Sequence, residues 1–84
     1  MPAEVFSSVF PVVDGGIMTD EVGVITGDVE VESSIAPSGE AVARCRYDGA
    51  KEWYVVTDAS RVLASGESLR QFHEALVMKY RNYD

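Results

Sequence analysis

The sequence predicts an α+β fold: an antiparallel sheet of four to five strands with one C-terminal helix packed on one face. Three observations carry that prediction. Leu69, Phe72, Leu76, Tyr80 and Tyr83 recur at spacings of three and four, which sets them on one stripe of a helix over about 67–82. The second half of Val22–Glu32 alternates apolar and acidic residues, the period of a strand with one dry face and one wet face. Strand patterns fill residues 1–64 before the helical one begins, an order that lays a helix over an antiparallel sheet.

Taken in order, Val5–Val13 is rich in β-branched and aromatic residues and reads as a strand. Neither of its faces is polar, which suggests cover on both sides, while Pro11 removes a ladder donor and points to an edge or a strand end. Asp14-Gly15-Gly16 is a turn signal, and 17–21 reads as a loop with Ile17 and Met18 tucked inward. In Val22–Glu32 the residues Ile25, Gly27, Val29 and Val31 share the dry face, and Gly23 and Gly27 suggest a bulge or bend. A loop over 33–39 contains Pro37-Ser38-Gly39. Residues 40–47 form the next strand, Asp48-Gly49 a hairpin turn, and 53–57 the return strand. Arg61–Ala64 reads as a short last strand. At the helix start, Ser68 with Gln71 three residues on is a capping box, with Ser65 a second candidate N-cap. Lys79 and Arg81 suit the helix C-terminus.

At 84 residues the chain has room for one domain and one small core. A chain of this length buries about 60–65% of its unfolded surface. Cys45 is the single cysteine and cannot form an intramolecular disulfide. The N-terminus lacks the basic-then-apolar pattern of a signal peptide, and no apolar stretch nears the roughly 20 residues that span a bilayer. The expectation is a cytoplasmic, reduced protein. Of the net charge of −7, the first half holds all: residues 1–43 carry eight acids and no Lys or Arg, whereas 44–84 carry six acids and all seven bases. Such a chain is repelled by nucleic acid and anionic membranes and drawn to basic surfaces. General solubility, or a proteome habit such as halophily, would produce the same excess.

Asp28, Glu30 and Glu32 lie on alternate positions, so their carboxylates line up about 6.5–7 Å apart. With Asp20, Glu21 and Asp14 they would form an acidic strip for docking on a basic partner. The competing expectation is internal neutralisation, with Arg44 across from Glu30 and Arg46 across from Asp28. Trp53 and Tyr54 point to opposite faces; Trp53 is expected in the core and Tyr54 on the surface as a partner anchor. His73, the lone histidine, stands at the edge of the apolar stripe, where packing rather than catalysis is the ordinary outcome. One His and one Cys do not assemble a conventional zinc site. Cys45 falls on the Ala41/Ala43/Tyr47 face, as a small buried hydrophobe. No glycine pattern has a phosphate-binding form. No catalytic residue, metal ligand or cofactor is therefore expected.

The order of elements over 40–81, ending in S-G-E-S-L-R-Q-F-H-E-A-L, resembles that of double-stranded-RNA-binding domains. Where those domains place lysines at the helix start, this chain has Glu67, Leu69 and Gln71, and residues 1–13 read as strand where those domains begin with a helix. Gly66-Glu67-Ser68-Leu69 is similar to the tetrapeptide that opens the helix of HicB-like antitoxin modules, whose Pro-Gly element is absent here. Neither family is assigned. The residues point to a non-enzymatic acidic binding protein that docks on a basic protein, for example a nucleic-acid-handling one, and inhibits or regulates it. The alternative is a structural subunit that self-associates, as a homodimer for example, through a sheet edge.

Overall fold

A computed structural model describes residues 4–81, without the side chain of Asp14. Four antiparallel strands, β1 (Val5–Thr19), β2 (Gly23–Ile35), β3 (Ala41–Tyr47) and β4 (Tyr54–Val55), are hydrogen-bonded in the order β1-β2-β3-β4. The helix α1 (Leu69–Tyr80) follows and covers one face, as the periodicity predicts. Tyr83 of the predicted stripe lies outside the described residues.

Local chemistry explains the helix boundary. Ser68 is the N-cap: its hydroxyl accepts from the Gln71 N–H, and the Gln71 side chain accepts from the Ser68 N–H at 2.8 Å. Two of the four orphan donors of the first turn are thereby satisfied, and Ser65 has no such role. Glu67 sits just ahead and accepts from Nη1 and Nη2 of Arg61, with a further bond from the Ala64 N–H. These contacts hold its carboxyl down at about 2.

Leu69, Phe72 and Leu76 go into the core, each contributing about 1.5–3 kcal/mol by burial. They meet Phe10, Val12, Val29, Val31, Ala43 and Cys45 from the sheet. On the dry face of β2, Ile25, Val29 and Val31 are at most 2% exposed, as expected, whereas Gly27, at the β1 bulge, is exposed. Cys45 is buried as predicted, and burial together with nearby Glu21 pushes its thiol up to about 11.

The β1 strand departs most from expectation. It does not end at Asp14-Gly15-Gly16 but runs on to Thr19, because those residues form a bulge and not a reversal. Register passes from Val12↔Gly27 to Ile17↔Ile25, so β1 advances five residues while β2 advances two. Gly15 and Gly16 take the positive φ that this excursion needs. Beyond it, Ile17 is fully buried, as expected, whereas Met18 points outward at 48% exposure. The bulge turns the end of β1 across to β4. Thr19 bridges Val56, the Asp20 N–H donates to Val55 O and the Thr57 N–H to Met18 O, each at 3.0 Å. The sheet thus rolls closed at this end and stays open at the other, where α1 lies.

Two further strands differ from the prediction. The return strand shrinks to Tyr54–Val55, and Arg61–Ala64 makes only an isolated bridge, Ala41↔Arg61, which hands the chain to α1. The β2–β3 hairpin keeps its ladder through 33–35, residues that read as loop, and closes over 36–40 by a Gly39 N–H to Ala36 O bond.

The bulge glycines provide a test. A Cβ on Gly16 would lie 2.3 Å from a Val24 methyl and 2.7 Å from Ile25 O, whereas one on Gly15 meets nothing within 4 Å. Gly15→Ala is expected to cost about 1 kcal/mol through its positive φ alone. Gly16→Ala should cost about 2 kcal/mol or more, since it adds a backbone clash. Urea denaturation of both variants makes the comparison.

Candidate functional site

The acidic row is placed by the alternation of β2 on the outer, helix-free face of the sheet. The register there is Glu32↔Arg44 and Glu30↔Arg46. The expected neutralisation therefore occurs two residues along from where the sequence put it, because the hairpin turns over 36–40 and both strands extend further toward it. Arg46 Nε donates to Glu30 at 2.8 Å and Arg44 bonds Glu32, while the Ser7 hydroxyl also donates to Glu30. Those bonds, Ser7 first and then Arg46, hold the Glu30 carboxyl below the usual range. Asp28 is the member left exposed without a side-chain partner among the described residues.

Asp20 and Glu21 fasten the β1–β2 turn. Asp20 accepts the Thr57 hydroxyl, and Glu21 accepts the Val55 N–H at 2.9 Å. Beside them Met18, Val22 and Val24 stand about half exposed, at 48%, 53% and 51%. The expected places of Trp53 and Tyr54 are exchanged. Tyr54 packs partly buried against the core, while Trp53 lies on the outer face beneath two guanidiniums, 4.4 Å from Arg46 and 5.0 Å from Arg44. The cations that neutralise the acids also hold the indole. Tyr54 keeps its hydroxyl near Glu52.

On the inner face, one polar cluster interrupts the core. His73 of α1 is 5% exposed, with Nε2 2.8 Å from the Ser8 hydroxyl on β1 and Nδ1 2.7 Å from the fully buried Ser33 hydroxyl on β2. Phe6 stacks on the ring at 6.1 Å between centroids. Desolvation lowers the imidazole pKa, with Glu74 acting the other way, which favours the neutral ring. A neutral imidazole has one donor and one acceptor, and the two hydroxyls match either tautomer. With serine hydroxyls, and not carboxylates, hydrogen-bonded to both nitrogens, the ring ties helix α1 to strands β1 and β2. Its signal in the sequence was Ser8 and Ser33, the polar exceptions in two apolar alternations.

The edge position that Pro11 suggests for the first strand is observed. Residues 5–12 of β1 pair only with β2, so their other edge is open among the described residues. Val5, Val9 and Val13 are 52%, 53% and 55% exposed on the outer face, in contrast to the two-sided cover expected. Between this edge and α1 runs a groove of about 420 Å³, with Phe6, Ser8, Arg70, Val77 and Met78 among its lining. Arg70 lies over the Phe6 ring at 5.2 Å, and Met78 is 71% exposed at the rim.

No helix among the described residues is long and apolar enough to cross a membrane, and no three of their His, Cys, Asp and Glu side chains are grouped to hold a metal ion. Comparison with protein-family models, with curated proteins and with solved structures gave no match.

The neutral His73 yields a pH test. Its folded pKa lies below the unfolded value of about 6.5, so the unfolded chain binds the proton first and stability is lost as pH falls through and below that value. The melting temperature should therefore fall from pH 7.5 toward about 5.5, a window above the ordinary carboxylate range. His73→Gln should flatten that slope. His73→Ala should in addition cost about 3 kcal/mol at neutral pH, since it strands the buried Ser33 hydroxyl and leaves a void.

Proposed function

We propose that this protein is a non-enzymatic binding module whose working surface is the open edge of β1, onto which a partner chain adds a strand. The observation that carries this reading is the state of that edge. A row of backbone donors and acceptors over 5–12 stands beside half-exposed valines and a groove of mixed polar and apolar lining. Strand addition takes its affinity from main-chain hydrogen bonds and its specificity from side-chain contacts of this kind. The acidic row supports docking less well, because Glu30 and Glu32 are engaged with Arg46 and Arg44. Exposed ion pairs of this sort already spend most of their field on each other.

A second reading keeps the basic partner and moves its contact to the β1–β2 turn. Asp20 and Glu21 flank exposed Met18, Val22 and Val24 there, an apolar patch with an acidic rim. Docking of that kind would inhibit or regulate the protein on which it falls.

The two readings separate in a capture experiment from a lysate of the source organism. Val9→Lys should lose the partner that the wild type holds, since a lysine on an edge strand blocks strand addition. The triple variant Asp28→Asn, Glu30→Gln, Glu32→Gln should retain it. Retention by Val9→Lys together with loss by Asp20→Asn, Glu21→Gln would overturn the edge reading in favour of the turn.

A further inference from the structure

We infer that the strand added at this edge is β1 of a second copy, running antiparallel with the two Val9 residues on the two-fold axis. The inference rests on the binding reading above and names its partner. Sheet edges in proteins are ordinarily guarded by charges, bulges or proline. Residues 5–13 form the longest run of this sequence without an ionisable side chain, and the register over 5–12 is regular. Pro11 is the sole guard, and it withholds one donor per strand while leaving its carbonyl free.

The strand is self-complementary about Val9. Pairing there sets Val5 opposite Val13 of the second copy, Ser7 opposite Pro11, and Val9 opposite Val9. On the inner face Phe6 falls opposite Val12, and Ser8 opposite Phe10. Each valine that stands half exposed in one copy thereby gains an apolar cross-strand neighbour, the unit by which antiparallel pairs are stabilised. A C2 contact requires this kind of self-matching, because the same patch serves both sides.

Charge points the same way. Two chains at −7 each repel at long range, which favours contact where acids are absent or already paired. Residues 5–13 of the edge carry no charge, with Glu4 and Asp14 only at the two ends of the run, and of the β2 acids beside it Glu30 and Glu32 are already engaged by Arg46 and Arg44. An association built on apolar and main-chain contacts between like-charged chains tightens as salt is added, whereas docking on a basic partner loosens.

Light scattering over a wide concentration range, at low and high salt, is the first test. A monomer–dimer equilibrium is expected that salt shifts toward dimer. Val9→Lys should raise the dissociation constant at least about tenfold, since two ammonium groups then face each other across the axis. Val9→Cys should oxidise to a covalent dimer, because residues paired on the axis lie within disulfide reach. Val62→Cys, 70% exposed and away from the edge, should not, and buried Cys45 stays out of the reaction. A monomer at every concentration overturns the inference. So does a dimer that ignores Val9→Lys and does not cross-link through Val9→Cys. If the chain is monomeric yet still captures another protein through an edge that Val9→Lys disables, the second copy is wrong and the binding reading stands. If Val9→Lys alters neither mass nor capture, both fall.

Discussion

Met18, Thr19 and Asp20 hydrogen-bond across to Val55, Val56 and Thr57, and most of the architecture follows from that short ladder. A four-stranded sheet has two edges. Here the end of the first strand is bent through a glycine bulge until it reaches the fourth, which closes the sheet at that end. Two acids of the turn, Asp20 and Glu21, are committed to holding the closure, by bonds to the Thr57 hydroxyl and the Val55 N–H. At the other end the strands diverge. The gap is filled by α1, which brings Leu69, Phe72 and Leu76 into the space that a closed barrel would fill from its own strands.

A helix seated by three or four apolar side chains can slide. His73 restricts that freedom, since its two ring nitrogens must meet Ser8 and Ser33 on adjacent strands at once. A buried polar group left unpaired costs more than the bond is worth when made, so the cluster specifies one helix position more than it adds stability. The same geometry leaves the first half of β1 uncovered along its edge. The helix lies beside that edge and not over it, with a groove between. Closure at one end and exposure at the other are two results of one bend.

How far the sequence disclosed this depends on the range of the interactions. The capping box at Ser68 and Gln71, the dry face of β2 and the burial of Cys45 are decided by neighbours a few residues away, and all were legible. Gly15-Gly16 read as a turn because two glycines after an aspartate suit a turn and a bulge equally, and what distinguishes them here is that 17–19 resume pairing with β2 and go on to reach Val56. The register of Arg44 and Arg46 was displaced by two residues because Pro37-Ser38-Gly39 fixes the place of the turn but not where its ladder begins. Trp53 and Tyr54 exchanged faces for a related reason: a strand of two residues has no alternation to read, and two guanidiniums on the outer face decided the matter. The open edge was hinted at by Pro11 and by a strand apolar on both sides. Strand order, which only the fold supplies, turned that hint into a surface.

Amide hydrogen exchange along β1, followed at low and at high protein concentration, tests the role of this edge most directly. Amides over 5–13 that point away from β2 should exchange rapidly in dilute protein and become protected when it is concentrated, while those bonded to β2 are protected throughout. Rapid exchange of the outward amides at both concentrations would show that nothing adds to this edge, and would contradict the part assigned to it.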